Sequence, residues 1–287
     1  MTTYLRPKIA DKWLFSSVFI WLVTTGTIHA QEFTLGLKGG LLISRSFYGD
    51  KDDGKAFESQ ITPGFYAAGI IGFPLKKNYA CILEGGISRH GREIIFSNGY
   101  GRNKATYNFA DAVLLLRKSF RFNLAPNLPT DVYFNIGPHI NYWISGKGTI
   151  GTTDNDGSPY TVVFEQDVDL GQFDKMYLNN INRWLFGLDI GVGMQAPITP
   201  KQHIAFELRF TSGHTFYGQR NSASYSWVEF EDNLRANEKV LTLSVAYTFD
   251  FSIQQLRTGK STKDKEVRRK PVKKNRRPRP KSSAIKL

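Results

Sequence analysis

Apolar and polar residues alternate with a period of two over long stretches of this chain. The clearest stretch is 239–251, in which one parity is apolar or aromatic: Leu241, Leu243, Val245, Tyr247, Phe249 and Phe251. Successive side chains of a strand point to opposite faces, so this pattern predicts a strand with one apolar face. The stretch is longer than the about 9–11 residues with which a tilted strand crosses a bilayer. Aromatic residues at its end are typical of the girdle at a membrane–water boundary.

The same alternation recurs along the rest of the chain and predicts eight strands, at 33–47, 61–73, 79–95, 105–122, 131–144, 183–198, 202–215 and 239–251. The connections alternate in length: three are short, at 74–78, 123–130 and 199–201, and four are long, at 48–60, 96–104, 145–182 and 216–237. Outer-membrane barrels have short periplasmic turns and long extracellular loops, a segregation that the alternative, a soluble sandwich, does not require. We therefore predict an all-β fold, an eight-stranded antiparallel transmembrane β-barrel at 31–251.

The N-terminal segment has the pattern of a secretory signal. Arg6, Lys8 and Lys12 precede an apolar run at 13–23, and Ala30 supplies a small residue at the predicted cleavage site. The run is shorter than the roughly 20 residues of a membrane-spanning helix. The segment predicts a cleaved signal peptide at 1–30 and an exported mature chain, which is either soluble or inserted as a barrel. Together with the predicted barrel, it indicates a location in the cell outer membrane.

Positive charge is concentrated at the C-terminus. The chain carries a formal net charge of +13, and Ser252–Leu287 holds fourteen lysines and arginines against Asp264 and Glu266. Its prolines, low complexity and high density of positive charge predict an extended, disordered segment. An even number of strands places it in the periplasm, which excludes nucleic acid and leaves acidic proteins or anionic lipids as partners; a solvated tail without a partner is the alternative. The predicted partner-binding residues are Arg268, Arg269, Lys270, Lys273, Lys274, Arg276, Arg277 and Arg279.

The polar parity of the strands places charged residues inside the predicted barrel. They are Lys38, Glu84, Asp111, Arg117, His139, Asp189, Glu207 and Arg209. An eight-stranded barrel has an interior just wide enough for its own side chains, and buried charges must pair. We predict a structural charge network that fills the lumen. A small-solute channel, a proton relay and a small-molecule site inside the barrel are therefore not expected.

Candidate catalytic chemistry is confined to the outer end of the seventh strand, at Ser212 and His214. Outer-membrane barrels that trim lipid A place a Ser/His/acid set there, so a lipid A-modifying enzyme is the alternative function. No acid partner can be named, and polar rim residues that meet lipid headgroups explain the pair without catalysis. His90, His139 and His203 lack metal-ligand spacing. We predict a protein that is not an enzyme and that has no metal or other cofactor.

The third long connection, 145–182, has more apolar character than a simple loop. Trp143, Tyr160, Phe164 and Phe173 lie in or beside it. A loop of this length and surface is expected to fold over something. We predict that it covers the barrel mouth or packs on a neighbouring protein.

Short glycine-rich motifs open the first three strands: LGLKGG at 35–40, PGFYAAG at 63–69 and LEGG at 83–86. With them the chain resembles the PorT-like family of outer-membrane β-barrels typical of Bacteroidetes, over roughly 31–251. The resemblance implies an eight-stranded barrel without a catalytic motif, and some members are linked to the type IX secretion and gliding machinery. It therefore implies a structural, scaffold or assembly component of a larger envelope complex, in contact with outer-membrane lipids and with other outer-membrane or periplasmic proteins. The long third loop and the basic tail depart from the plain form of the family.

Overall fold

The structure is a computed structural model that describes residues 32–49, 51–96, 101–125, 128–152, 155–167, 169, 171–172, 174–219, 222–225 and 233–252. Its elements are, in chain order, β1 (Glu32–Tyr48), α1 (Lys51–Ala56), β2 (Phe57–Gln60), β3 (Thr62–Pro74), a 3₁₀ turn (Lys76–Asn78), β4 (Tyr79–Phe96), β5 (Arg102–Ala125), β6 (Leu128–Thr152), β7 (Asn155–Phe164), β8 (Lys175–Leu178), β9 (Trp184–Thr199), β10 (Gln202–Gly213), β11 (Ala223–Tyr225) and β12 (Ala236–Ser252). Within these ranges no helix has the length and apolarity needed to cross a membrane. The predicted signal peptide at 1–30 lies outside the described residues, as does the predicted tail beyond Ser252.

Eight long strands of the described chain close into a ring. Antiparallel pairing runs in the order β1–β3–β4–β5–β6–β9–β10–β12, and β12 is hydrogen-bonded to β1 again. At this closing seam Gly36 lies against Thr248 and Gly40 against Ser244. The predicted eight-stranded antiparallel β-barrel is confirmed. Both ends of the described chain lie at the end of the barrel with the short turns, which is the periplasmic end in barrels of this type.

Strand bounds depart from the sequence-based prediction chiefly at the outer end. The prediction of a loop throughout 145–182 is wrong, because β6 continues to Thr152 and is followed by β7 and β8. β6 continues because the outer residues of β5 pair with it, as Lys104 does with Thr149. β7 in turn pairs with β6, as Pro159 does with Thr149. Each added strand thus finds hydrogen-bond partners beyond the membrane. The predicted connection at 48–60 likewise contains α1 and β2, and β10 ends at Gly213, two residues before the predicted bound.

The two parities of the ring face different surroundings. Outward apolar side chains are exposed on the barrel surface, as with Leu37 and Leu41 on β1 and Leu243 on β12, which are 74%, 73% and 61% exposed. These residues meet lipid in an inserted barrel. Inward positions are buried and divide into layers. An apolar layer on the periplasmic side consists of Ile70, Ile82, Val113, Leu115, Tyr133, Ala205 and Ala246.

At the outer end the inward residues form a second apolar layer, which we call the outer cluster. Trp143 of β6 is fully buried at its centre and packs against the rings of Tyr107, Phe164 and Tyr217 at centroid distances of 4.5, 5.3 and 5.5 Å. Tyr160 of β7 also belongs to it, together with Phe57, Ile94, Ala105, Phe109, Ile150, Val162, Met176, Leu178 and Leu234. The third long connection therefore does fold over the barrel mouth; Phe173 lies outside the described residues.

Adjacent glycines on β4 have different surroundings. A Cβ added at Gly86, which faces inward, would meet the carbonyl oxygen of Ala67 and lie 2.6 Å from Ala68 Cα. A Cβ added at Gly85, which faces outward, would meet nothing within 4 Å. Gly86 is therefore required by close approach of β3. Gly85 carries only the usual entropic cost of a glycine within a strand.

We expect Gly86→Ala to lower the free energy of unfolding by about 1–3 kcal/mol through overpacking. Gly85→Ala, the matched control, should leave it unchanged or raise it by up to about 1 kcal/mol. Urea unfolding in lipid vesicles, followed by tryptophan fluorescence, measures both values. Equal effects of the two substitutions would contradict this packing of β3 against β4.

Candidate functional site

A compact set of ion pairs lies between the two apolar layers of the lumen. Lys38 of β1 places Nζ 3.0 Å from Glu84 Oε1 and 2.6 Å from Glu207 Oε1. Arg209 of β10 approaches the same two carboxylates, with Nη2 2.8 Å from Glu84 Oε1 and 2.6 Å from Glu207 Oε1. All four side chains are at most 4% exposed. Two cations and two anions thus alternate around one centre, so each charge faces charges of the opposite sign.

Arg209 links this centre to an arm on β9, β6 and β5. Its Nη1 lies 3.3 Å from Asp189 Oδ2, and Asp189 Oδ1 lies 3.0 Å from His139 Nδ1. His139 Nε2 in turn lies 3.4 Å from Asp111 Oδ1, which also accepts a hydrogen bond from Asn141 Nδ2 at 2.7 Å. Six strands, β1, β4, β5, β6, β9 and β10, are therefore joined across the lumen.

Neutral side chains that the sequence analysis did not single out complete the network. Tyr66 donates to Glu84 Oε2 at 3.0 Å, and Glu207 Oε2 accepts from Tyr133 at 3.2 Å and from Asn135 at 2.8 Å. Arg117 is less buried than the others. It stacks on the Tyr133 ring with Cζ 3.8 Å from the ring centroid and reaches Glu207 Oε2 at 3.7 Å. All these residues share the inward parity, which is the signal that could have found them.

The formal charges of this lumen charge network balance. Its carboxylates are Glu84, Asp111, Asp189 and Glu207, and its permanent cations are Lys38, Arg117 and Arg209. His139 faces a carboxylate oxygen with each ring nitrogen, so both nitrogens must carry hydrogen for both contacts to be hydrogen bonds. An imidazolium at that position gives four cations against four carboxylates. The network therefore holds eight charged groups without a net charge.

A small cavity of about 50 Å³ separates the network from the outer cluster. Two buried polar atoms at its lining, Ser88 Oγ and Asp111 Oδ2, have no hydrogen-bond partner among the described residues. One water needs about 10–15 Å³ measured in this way, so the cavity has room for a few water molecules. Small-molecule sites occupy about 300–1,000 Å³. This cavity, which is lined by described residues, therefore suits buried water and is too small for a typical small-molecule ligand.

A further polar contact lies above this cavity. His90 Nδ1 is 2.8 Å from Glu238 Oε1, and the His90 ring stacks on Phe109 with centroids 4.4 Å apart. Tyr217, in the connection after β10, donates a hydrogen bond to Glu238 Oε2. Burial, together with the Glu238 carboxylate, raises the pKa of Tyr217 well above its ordinary value. The phenol therefore stays protonated and ties the outer cluster to β12.

Ser212 and His214 do not form a catalytic arrangement. Ser212 is half-buried on the outward parity of β10, opposite Lys239 of β12. His214 is exposed, and its backbone N–H donates to the Phe186 carbonyl oxygen at 2.8 Å. No hydrogen bond joins their side chains, and no carboxylate contacts either of them, within the part of the chain that the structure describes.

The same described residues contain no group of three or more histidine, cysteine, aspartate or glutamate side chains placed to hold a metal ion. The predicted partner-binding residues of the tail lie outside the described residues. They are Arg268, Arg269, Lys270, Lys273, Lys274, Arg276, Arg277 and Arg279.

Comparison with protein families identifies the barrel. Residues 29–213 match the model of the outer membrane protein beta-barrel domain. The chain belongs to this family. Membership agrees with the closed ring, the outward apolar parity and the predicted outer-membrane location. No curated protein matches the chain.

Solved structures similar to this family member include three outer-membrane proteins. OprG from Pseudomonas aeruginosa is 9% identical, with a TM-score of 0.45 over 77% of this chain and 96% of that one. Neisserial surface protein A is 12% identical, with a TM-score of 0.37 over 76% and 97%. The outer membrane protease OmpT from Escherichia coli is 10% identical, with a TM-score of 0.29 over 79% and 99%. These values are too low to transfer an activity.

Arg209→Met tests how far the network depends on its central cation. We expect it to lower the free energy of unfolding by about 3–5 kcal/mol, because buried carboxylates lose their partner. Arg121→Met is the matched control: its side chain is 81% exposed and lies 3.7 Å from Asp131, so its loss should cost less than about 1 kcal/mol. Urea unfolding in lipid vesicles measures both. Equal losses would show that the network does not stabilise the barrel.

Proposed function

We propose that this barrel is a non-enzymatic scaffold or assembly component of a larger cell-envelope complex. The observation that carries the proposal is the filled lumen. An apolar layer, the lumen charge network and the outer cluster follow one another along the barrel axis, and the cavity between the last two is about 50 Å³. A barrel that passes nothing through its interior acts through its surfaces. Its function is therefore to hold other molecules at the membrane.

The outer end supplies one such surface. Three of the long connections contain additional strands: β2 lies in the first, β7 and β8 in the third and β11 in the fourth. Of these, β7, β8 and β11 extend the sheet from β6. Their inward side chains pack in the outer cluster, where Trp143, Met176 and Leu178 are fully buried. Close packing of this kind favours a rigid platform over mobile loops. A rigid surface binds a partner with a smaller entropic cost than a flexible one.

The basic tail, Ser252–Leu287, which the even number of strands is expected to place in the periplasm, is the second proposed surface. A segment with this charge cannot bury an apolar core, so it is expected to order only against an acidic partner. Its position in the periplasm fits a component that connects the outer membrane to periplasmic proteins. The resemblance to PorT-like barrels supports a place in secretion or gliding machinery. The alternative is a lipid A-modifying enzyme that uses Ser212 and His214, and no described carboxylate contacts that histidine.

Gentle detergent extraction of the full-length protein, with identification of co-purifying proteins, tests this proposal. We expect a stable set of envelope proteins, and we expect truncation after Phe251 to lose its periplasmic members. High salt should have the same effect as truncation, because screening at 0.15 M already acts over about 8 Å. The truncated barrel should keep the heat-resistant gel migration of the full-length protein, which controls for folding.

Two results would contradict the proposal. A lone monomer with deacylase activity that Ser212→Ala abolishes would favour the enzyme. Partner sets that neither truncation nor salt changes would remove the role of the tail.

A further inference from the structure

Two cations lie side by side on the outward face of the closing seam. Gly36 contacts Thr248 and Gly40 contacts Ser244 across that seam, and the same antiparallel register places Arg45 of β1 opposite Lys239 of β12. Both side chains are exposed on the outward parity. They also share one aromatic neighbour, because Lys239 Nζ lies 4.1 Å and Arg45 Cζ 5.7 Å from the centroid of the Phe47 ring. Like charges directly opposite each other across two strands are unfavourable.

No protein anion compensates this pair among the described residues. Neither Arg45 nor Lys239 has a carboxylate oxygen within 4.0 Å there. Glu58, the acidic residue of the neighbouring short strand β2, accepts a hydrogen bond from Gln60 Nε2 at 2.8 Å instead. Glu238 precedes Lys239 but points inward to His90. The positive charge of this pair is therefore available to bind an external anion.

The position of the pair along the membrane normal indicates which kind of anion would bind there. Phe33 and Phe251 stack at the periplasmic end with centroids 5.3 Å apart. Arg45 lies twelve residues further along β1. At about 3.3 Å per residue and a tilt of about 40°, this corresponds to roughly 30 Å along the membrane normal. The apolar band of such barrels is about 25 Å tall, so Arg45 lies at the level of the outer headgroups.

A hydroxyl extends the row onto a third strand. Ser212 of β10 is the direct cross-strand partner of Lys239 and lies on the same outward face. A guanidinium, an ammonium and a hydroxyl on β1, β12 and β10 thus follow one another. This combination suits a phosphate, because arginine binds its oxygens in a fork and lysine adds a compact charge. The ring of Phe47 and the outward Leu241 and Phe210 provide apolar surface beside it for an acyl chain.

We propose that Arg45, Lys239 and Ser212 form a binding site for the headgroup phosphate of an outer-leaflet lipid of the lipid A type. The site fixes the barrel to a lipid with its acyl chains against the closing seam. It also gives Ser212 a role in binding, without catalysis. The site is independent of the proposed scaffold function, because a barrel with or without protein partners can hold such a lipid.

The test uses full-length protein and bisphosphorylated lipid A in detergent, with native mass spectrometry after a wash at about 0.5 M salt that weakens contacts of the exposed tail. Arg45→Gln/Lys239→Gln is the test variant. Lys76→Gln/Lys77→Gln is its matched control, because it removes the same charge from exposed residues of the periplasmic turn. Heat-resistant gel migration checks folding, and the single variants Arg45→Gln and Lys239→Gln replace the double variant if it does not fold.

We expect the wild type and the control variant to retain bisphosphorylated lipid A. The test variant should retain it roughly 25-fold more weakly, because each basic residue near an anionic headgroup contributes about fivefold. Ser212→Ala should weaken retention to a smaller extent. Equal retention by the two double variants would overturn the site. So would equal binding of fully dephosphorylated lipid A, or complete displacement by inorganic phosphate, which would indicate a site for free anions.

Discussion

The interior of an eight-stranded barrel must be filled by its own side chains, and any charge placed there must find an opposite charge. This constraint organises the whole protein. Glu84 and Asp189 are completely buried, and each of them is held by cations that come from other strands. Removing one member leaves its partners buried without compensation. The network therefore couples strands that are far apart in sequence, and it joins the closing strand β1 to β4 and β10 through Lys38 alone.

Room for such large side chains comes from small ones on the same parity. Gly86 and Ala68 face the lumen between Lys38 and Asp111, and close approach of β3 to β4 explains why a glycine stands there. Charged residues thus occupy volume that the strands leave free. Above them the aromatic residues of β5, β6 and β7 exclude water from the barrel mouth. Filling, neutralisation and exclusion of water depend on one another, and together they support the proposed role in binding other molecules.

Much of this structure is readable in the sequence, because a period of two assigns each strand residue to lipid or lumen. That parity predicted the ring and the lumen position of charges such as Lys38 and Glu207. It could not show which cation meets which carboxylate, since pairing depends on strand tilt and register across the ring. Glycines weaken the alternation at 146–152, so the sequence pattern does not reveal the extension of β6. Lys239 and Arg45 share a face only because β12 closes on β1, a relation that no local pattern contains.

We expect the filled lumen to be closed to ions. Single-channel recording after insertion of the purified full-length protein into planar bilayers tests it most directly, with a wide-lumen porin as the positive control in the same bilayer. A lumen filled by paired charges and apolar layers predicts no stable conductance steps at either polarity. Steady, reproducible steps in membranes that contain the folded protein would contradict the account, because they would require a continuous water path past Arg209 and Trp143.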